Sequence, residues 1–194
     1  EELSSVDAVE PTPVPASKSI SCPACSETIS LDSGTCQNCG LETGKAIVHH
    51  RNRVIGEQHL ATVVEDTSLE DQLWMGEQAL SAFREAEEAC PNVEIFKLVR
   101  DSRQRVASLA LVAAREFIEN KNYAEASGLL HRADENQSSD EVTKLLRRIE
   151  KTRAKALAEV QQRLRDGEVT DAVELLKLAE KHFRGDVEIT GLLN

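Results

Sequence analysis

The strongest constraint on this chain is a spacing. Cys22-Pro-Ala-Cys25 and Cys36-Gln-Asn-Cys39-Gly40 are two C-x-x-C pairs separated by ten residues. A two-residue gap lets one tight turn aim both sulfurs of a pair at the same point. Gly40 lets the backbone fold close enough for amides to point at the thiolates. The short intervening loop costs little to close. Four thiolates at tetrahedral corners, about 2.3 Å from the metal, suit zinc, so Cys22, Cys25, Cys36 and Cys39 are read as the ligands of one structural Zn2+ ion. Two disulfides are the competing reading, and the paired spacing with Gly40 weighs against them. A redox C-x-x-C would stand alone in a thioredoxin-like pattern, whereas two are present. Catalytic zinc needs an open coordination position, which four thiolates close. So small a module has almost no apolar core. Metal binding, worth about 10–16 kcal/mol in zinc-finger peptides, would supply its folding energy.

Over about residues 20–45 this pattern resembles the zinc-ribbon family, which implies a small β module, taken here as residues 19–46. Thr28-Ile29-Ser30-Leu31 alternates like a short strand, and Asp32-Ser33-Gly34 signals a turn. Ser26 stands where many ribbons carry a second glycine, which implies a slacker first knuckle. Residues 1–18 are acidic, with Pro11, Pro13 and Pro15 alternating, and read as a disordered linker. Residues 47–67 form a connector of undecided conformation. Ala46-Ile47-Val48 reads as a closing ribbon strand, and His49 and His50 as solvated linker residues.

From Ser68 the periodicity is helical. Ser68-Leu-Glu-Asp71 resembles a capping box, opening a helix that Pro91 ends near Ala89. A long helix over 92–120, a short one over 123–135, a long one over 139–165 and a short one over 169–182 follow. The breaks between them are rich in turn and capping residues. Ile95, Val99, Ser102, Val106, Leu109, Ala113 and Phe117 lie on one face. A shift of 47 residues turns them into Val142, Leu146, Ile149, Arg153, Ala156, Val160 and Leu164. The short helices align as well, with Ala126, Leu129 and Leu130 beside Ala172, Leu175 and Leu176. Leu129 and Leu175 are taken as equivalent inward positions. Neighbouring hairpins must stack to bury such faces. Residues 68–194 resemble the tetratricopeptide-like helical repeats, through Tyr123…Ala126…Leu129-Leu130…Ala133, although 47 exceeds that family's period of about 34. A longer two-helix repeat or an antiparallel coiled coil fits the same pattern. The fold expected is mainly α, a helical-hairpin array behind a small N-terminal zinc ribbon. The third copy begins at Asp186-Val-Glu188-Ile189 and only about eight residues of it remain, so the array is expected to be truncated at its C-terminus.

Composition narrows the function. With 34 acidic and 23 basic residues the net charge is −11, and aromatics are 3% of the chain. Such a field repels phosphate backbones, so nucleic acid is a poor partner. The longest apolar stretch, 106–114, is far short of the roughly 20 residues that cross a bilayer, so no membrane span is expected. Gly40-Leu-Glu-Thr-Gly44-Lys45-Ala46 imitates a phosphate loop but ends in Ala where magnesium needs a hydroxyl, so no small-molecule substrate is assigned. Cys90 reads as a small buried hydrophobe. Lys144, Arg148, Lys151 and Lys155 fall at spacings of four, three and four, opposite Val142, Ile149 and Ala156. They are either a solvated outer face or a docking strip for an acidic partner. Five cysteines, four of them at metal-ligand spacing, point to a reducing, cytoplasmic setting. The leading reading is a non-enzymatic adaptor or scaffold that binds protein. The alternative is a regulatory region of a larger enzyme, since some bacterial protein kinases similarly join a two-knuckle zinc module to helical repeats. A third reading is a nucleic-acid-binding ribbon using Lys45, Arg51 and Arg53.

Overall fold

The computed structural model describes residues 19–62 and 67–193. The linker reading of 1–18 and the stretch around Val63-Val64 lie outside them. Two short strands, β1 (Ser19–Ser21) and β2 (Thr28–Ser30), pair antiparallel with Ile20 opposite Ile29. Seven helices follow among the described residues: α1 (Thr43–Ala61), α2 (Leu69–Ala89), α3 (Val93–Glu119), α4 (Tyr123–Asn136), α5 (Asp140–Arg165), α6 (Val169–His182) and α7 (Val187–Leu193). The protein is mainly α with a small N-terminal β hairpin, and its helices pack as successive hairpins. None of the described helices is long and apolar enough to cross a membrane.

The helix starts are set by side chains that take up orphan amides. Ser68 accepts from the Asp71 amide, Asn92 from Ile95, Ser139 from Val142, and Asp186 from Glu188 and Ile189. Each such cap stabilises its helix by about 1 kcal/mol. α3 and α5 end alike, in a left-handed residue. The amides of Lys121 and Asn122 bond to Ile118 and Phe117, and those of Gly167 and Glu168 to Leu164 and Arg163. Gly167 takes its φ of 81° without strain, whereas Lys121 adopts a φ of 58° with a Cβ in the way.

The main core runs through all the helices from α2 to α7. Phe83, Ile95, Val106, Leu130, Val142, Val160 and Ile189 are fully enclosed, with Ala79, Ala86, Ala110, Ala126, Ala133 and Ala172 letting the helices approach. A separate small cluster of Cys22, Ile29, Cys36 and Ala46 forms the core of the hairpin region. Arg153, the one charged residue on the inward register of α5, is half-buried and bridges Asp186 and Glu188, tying α7 to α5.

Three sequence expectations are corrected. Ala46-Ile47-Val48 is helix, not ribbon strand, because α1 already begins at Thr43. Its buried stripe of Thr43, Ala46, His49, Asn52 and Gly56 has helical spacing but is built from small and polar residues. Leu129 and Leu175 are only half-buried, and the deep positions are their neighbours Leu130 and Leu176. Leu164, expected on the inward face of α5, is exposed.

Candidate metal centre

Each cysteine pair sits on the same kind of turn. In the first, the Ser26 amide donates to the Cys22 carbonyl at 2.8 Å and the Cys22 amide to Glu27 at 2.7 Å. In the second, Gly40 donates to Cys36 at 2.8 Å and Cys36 to Leu41 at 2.7 Å. The first turn joins β1 to β2, and the second is flanked by an isolated bridge between Thr35 and Glu42. The residue closing each turn is left-handed, Ser26 with a φ of 63° and Gly40 with 79°. Ser26 therefore occupies the place that glycine fills without strain in the second turn.

The two turns face each other and bring all four sulfurs within 4.8 Å of one another. Cys22 Sγ is 3.5 Å from Cys39 Sγ, and Cys25 Sγ is 3.6 Å from Cys36 Sγ. A disulfide would need about 2.05 Å. Thiolates about 2.3 Å from a shared metal at tetrahedral corners would be about 3.8 Å apart. All four cysteines are free, and the set can hold a metal ion. Cys22 and Cys36 are buried, Cys25 is half-buried and Cys39 is exposed.

Two thiols of the set differ in acidity. A hydrogen bond from the Asn38 side chain, aided by the Glu27 amide, lowers the Cys25 thiol to about 6. Cys39 is eased by the Leu41 amide, but local desolvation of its sulfur and its three thiol neighbours prevail and push it up to about 12. A bound cation would favour the thiolate form of its ligands.

The cluster is fastened to the helices by a polar junction that the sequence did not announce. His49, expected in solvent, is buried at 2% exposure because α1 packs it against the end of α2. Its Nδ1–H donates to the Ala86 carbonyl at 2.9 Å, leaving Nε2 to accept from Asn92 Nδ2 at 3.4 Å. Asn92 Nδ2 also reaches the carbonyl of Pro23, inside the first C-x-x-C, at 3.1 Å. His50 Nε2 donates to Ser21 of β1 at 2.6 Å. Asn92 thus caps α3 through its oxygen and holds the cysteine turn through its nitrogen. The sequence marks Asn92 only as the start of a long helix. Cys90 is buried, as expected, and burial raises its thiol.

The remaining candidates lie apart from the cluster. Arg53 pairs with Glu57 and Glu94, and Lys45 with Glu42, whereas Arg51 makes no ion pair among the described residues. Lys144, Arg148, Lys151 and Lys155 do share one exposed face of α5. No protein-family model, curated protein or solved structure matches this chain, so the reading of the centre rests on its own geometry.

Proposed function

We propose that Cys22, Cys25, Cys36 and Cys39 bind one structural zinc ion, and that the chain is a non-enzymatic adaptor whose helical array binds protein. The observation that carries this reading is the closed sulfur set. Four thiol ligands within 4.8 Å of one another fill a tetrahedral shell and leave no position for a substrate. A metal held this way serves to fold the ribbon, residues 19–46, whose last residues double as the first turn of α1. The junction through His49, His50 and Asn92 supports a ribbon braced on the helices. The helices behind it are read as tetratricopeptide-like repeats of about 47 residues, supported by starts at Val93, Asp140 and Val187 and by the matching buried residues Ile95, Val142 and Ile189. Five free cysteines suit a reducing, cytoplasmic setting.

Affinity capture tests this reading. Metal-loaded full-length chain is immobilised and exposed to extract from its own cells, and each retained protein is then purified and mixed with the chain. A defined complex of fixed stoichiometry is expected. If no retained protein reassembles with the chain, the adaptor reading fails.

A further inference from the structure

We propose that the outer face of α5 is a docking strip for an acidic α-helix of a partner protein. The proposal rests on the adaptor reading and names the chemistry of the partner. Lys144, Arg148, Lys151 and Lys155 form one line about 16 Å long, at 1.5 Å per residue. Arg147 flanks the line, and an open hollow of about 630 Å³ is lined by these five cations and Thr152.

Outside the strip Arg53, Arg100, Arg115, Arg132, Arg153 and Arg163 each bridge a carboxylate, while Arg51, Arg84, Arg103, Arg105, Arg165 and Arg184 make no ion pair among the described residues. The five cations of the strip have no ion-pair partner among the described residues, although acidic side chains outnumber basic ones by 34 to 23. Glu150, the one acid of α5 between Lys144 and Lys155, points about a third of a turn away. Cations stacked at i, i+3 and i+4 repel one another. Folding alone disfavours this pattern, and an external anion would relieve it.

The occupant follows from the shape of the strip. A straight line with four-three-four spacing matches carboxylates at i, i+4, i+7 and i+11 of a second helix lying alongside, each able to form a charge-assisted hydrogen bond. Nucleic acid fits less well. The net charge of −11 repels a phosphate backbone, and the strip offers no aromatic face for a base.

The test uses the metal-loaded full-length chain and a fluorescein-labelled, alanine-rich 20-residue peptide with glutamates at i, i+4, i+7 and i+11. A peptide of the same composition with its glutamates spread around the helix is the comparison. Fluorescence anisotropy at low salt is expected to show tighter binding of the striped peptide, weakening as salt is added. The triple variant Lys144→Glu, Lys151→Glu, Lys155→Glu is expected to lose about tenfold or more in affinity. The variant Lys97→Glu, Lys177→Glu, Lys181→Glu, with the same net charge and equally exposed sites, is expected to change it by less than about threefold. Equal loss in both variants, equal binding of both peptides, or preference for a single-stranded oligonucleotide or an anionic vesicle would overturn the proposal. If the proteins that reassemble with the chain still bind the strip variant, the strip fails while the adaptor reading stands. If the striped peptide binds as expected but no protein reassembles, the adaptor reading is the one that fails.

Discussion

Replacing Gly56 with Ala sets two physical effects against each other. Gly56 lies inside α1, where helix propensity alone favours Ala by about 1 kcal/mol. An added Cβ, however, would lie 2.5 Å from Phe83 Cε1, 2.7 Å from Cδ1 and 2.8 Å from Cζ. Carbon atoms rest about 3.5–4.0 Å apart, so the overlap is about 1 Å. Phe83 is fully buried, and its ring cannot swing aside into solvent. Overpacking of this kind costs about 1–3 kcal/mol, so Gly56→Ala should be destabilising by a net ~0–2 kcal/mol. Gly128, in exposed α4 surface with nothing within 4 Å of an added Cβ, is the control and should be stabilised by about 0.5–1 kcal/mol on changing to Ala. Urea denaturation followed by far-UV circular dichroism would report both as midpoint shifts at constant slope. Phe83→Leu should restore part of the loss in the Gly56→Ala background, a coupling that a double-mutant cycle measures. If Gly56→Ala proved as stabilising as Gly128→Ala, the close packing of α1 on α2 would be refuted.

Leu130→Ala and Leu176→Ala should each cost about 2–5 kcal/mol in the same assay, more than Leu129→Ala or Leu175→Ala, because only the former pair is fully enclosed. Stability should also fall with acidification. Burial first, with His50 and Arg53 nearby, holds the His49 imidazole below its ordinary value of 6.5. The unfolded chain then binds the extra proton, so stability present above about pH 6.5 is lost as pH drops toward the folded-state value. His182, lowered first by burial and then by Lys121 and Lys181, acts in the same direction. Urea midpoints measured between pH 7.5 and 5 should fall less steeply for His49→Gln than for the wild type. Lys121→Gly should raise stability by up to about 1 kcal/mol, because it relieves a left-handed residue that Gly167 matches at the end of α5.

Much of this fold is legible where apolar residues carry the helical period. α2 to α6 begin and end within a residue or two of their sequence signals, because Ser68, Asn92, Ser139 and the left-handed residues after α3 and α5 act locally. α1 is hidden for the opposite reason. Its inward stripe is Thr43, Ala46, His49, Asn52 and Gly56, which no apolar pattern reveals, and its burial depends on partners more than 30 residues away. The same holds at the metal centre. Ligand spacing is written in Cys22, Cys25, Cys36 and Cys39, whereas the brace from Asn92 to Pro23 spans 69 residues and exists only once α3 is docked. The choice of Leu130 over Leu129 turns on one helical position, 100° of rotation, that a small-residue signature leaves open.

Zinc K-edge absorption on the chain purified under reducing conditions, with metal content measured on the same sample, tests the central claim most directly. One zinc per chain with four sulfur neighbours at about 2.3 Å is expected, and Cys36→Ser should lose that shell. Metal well below one equivalent, nitrogen or oxygen in the first shell, or an intact mass lowered by two disulfides would contradict the account.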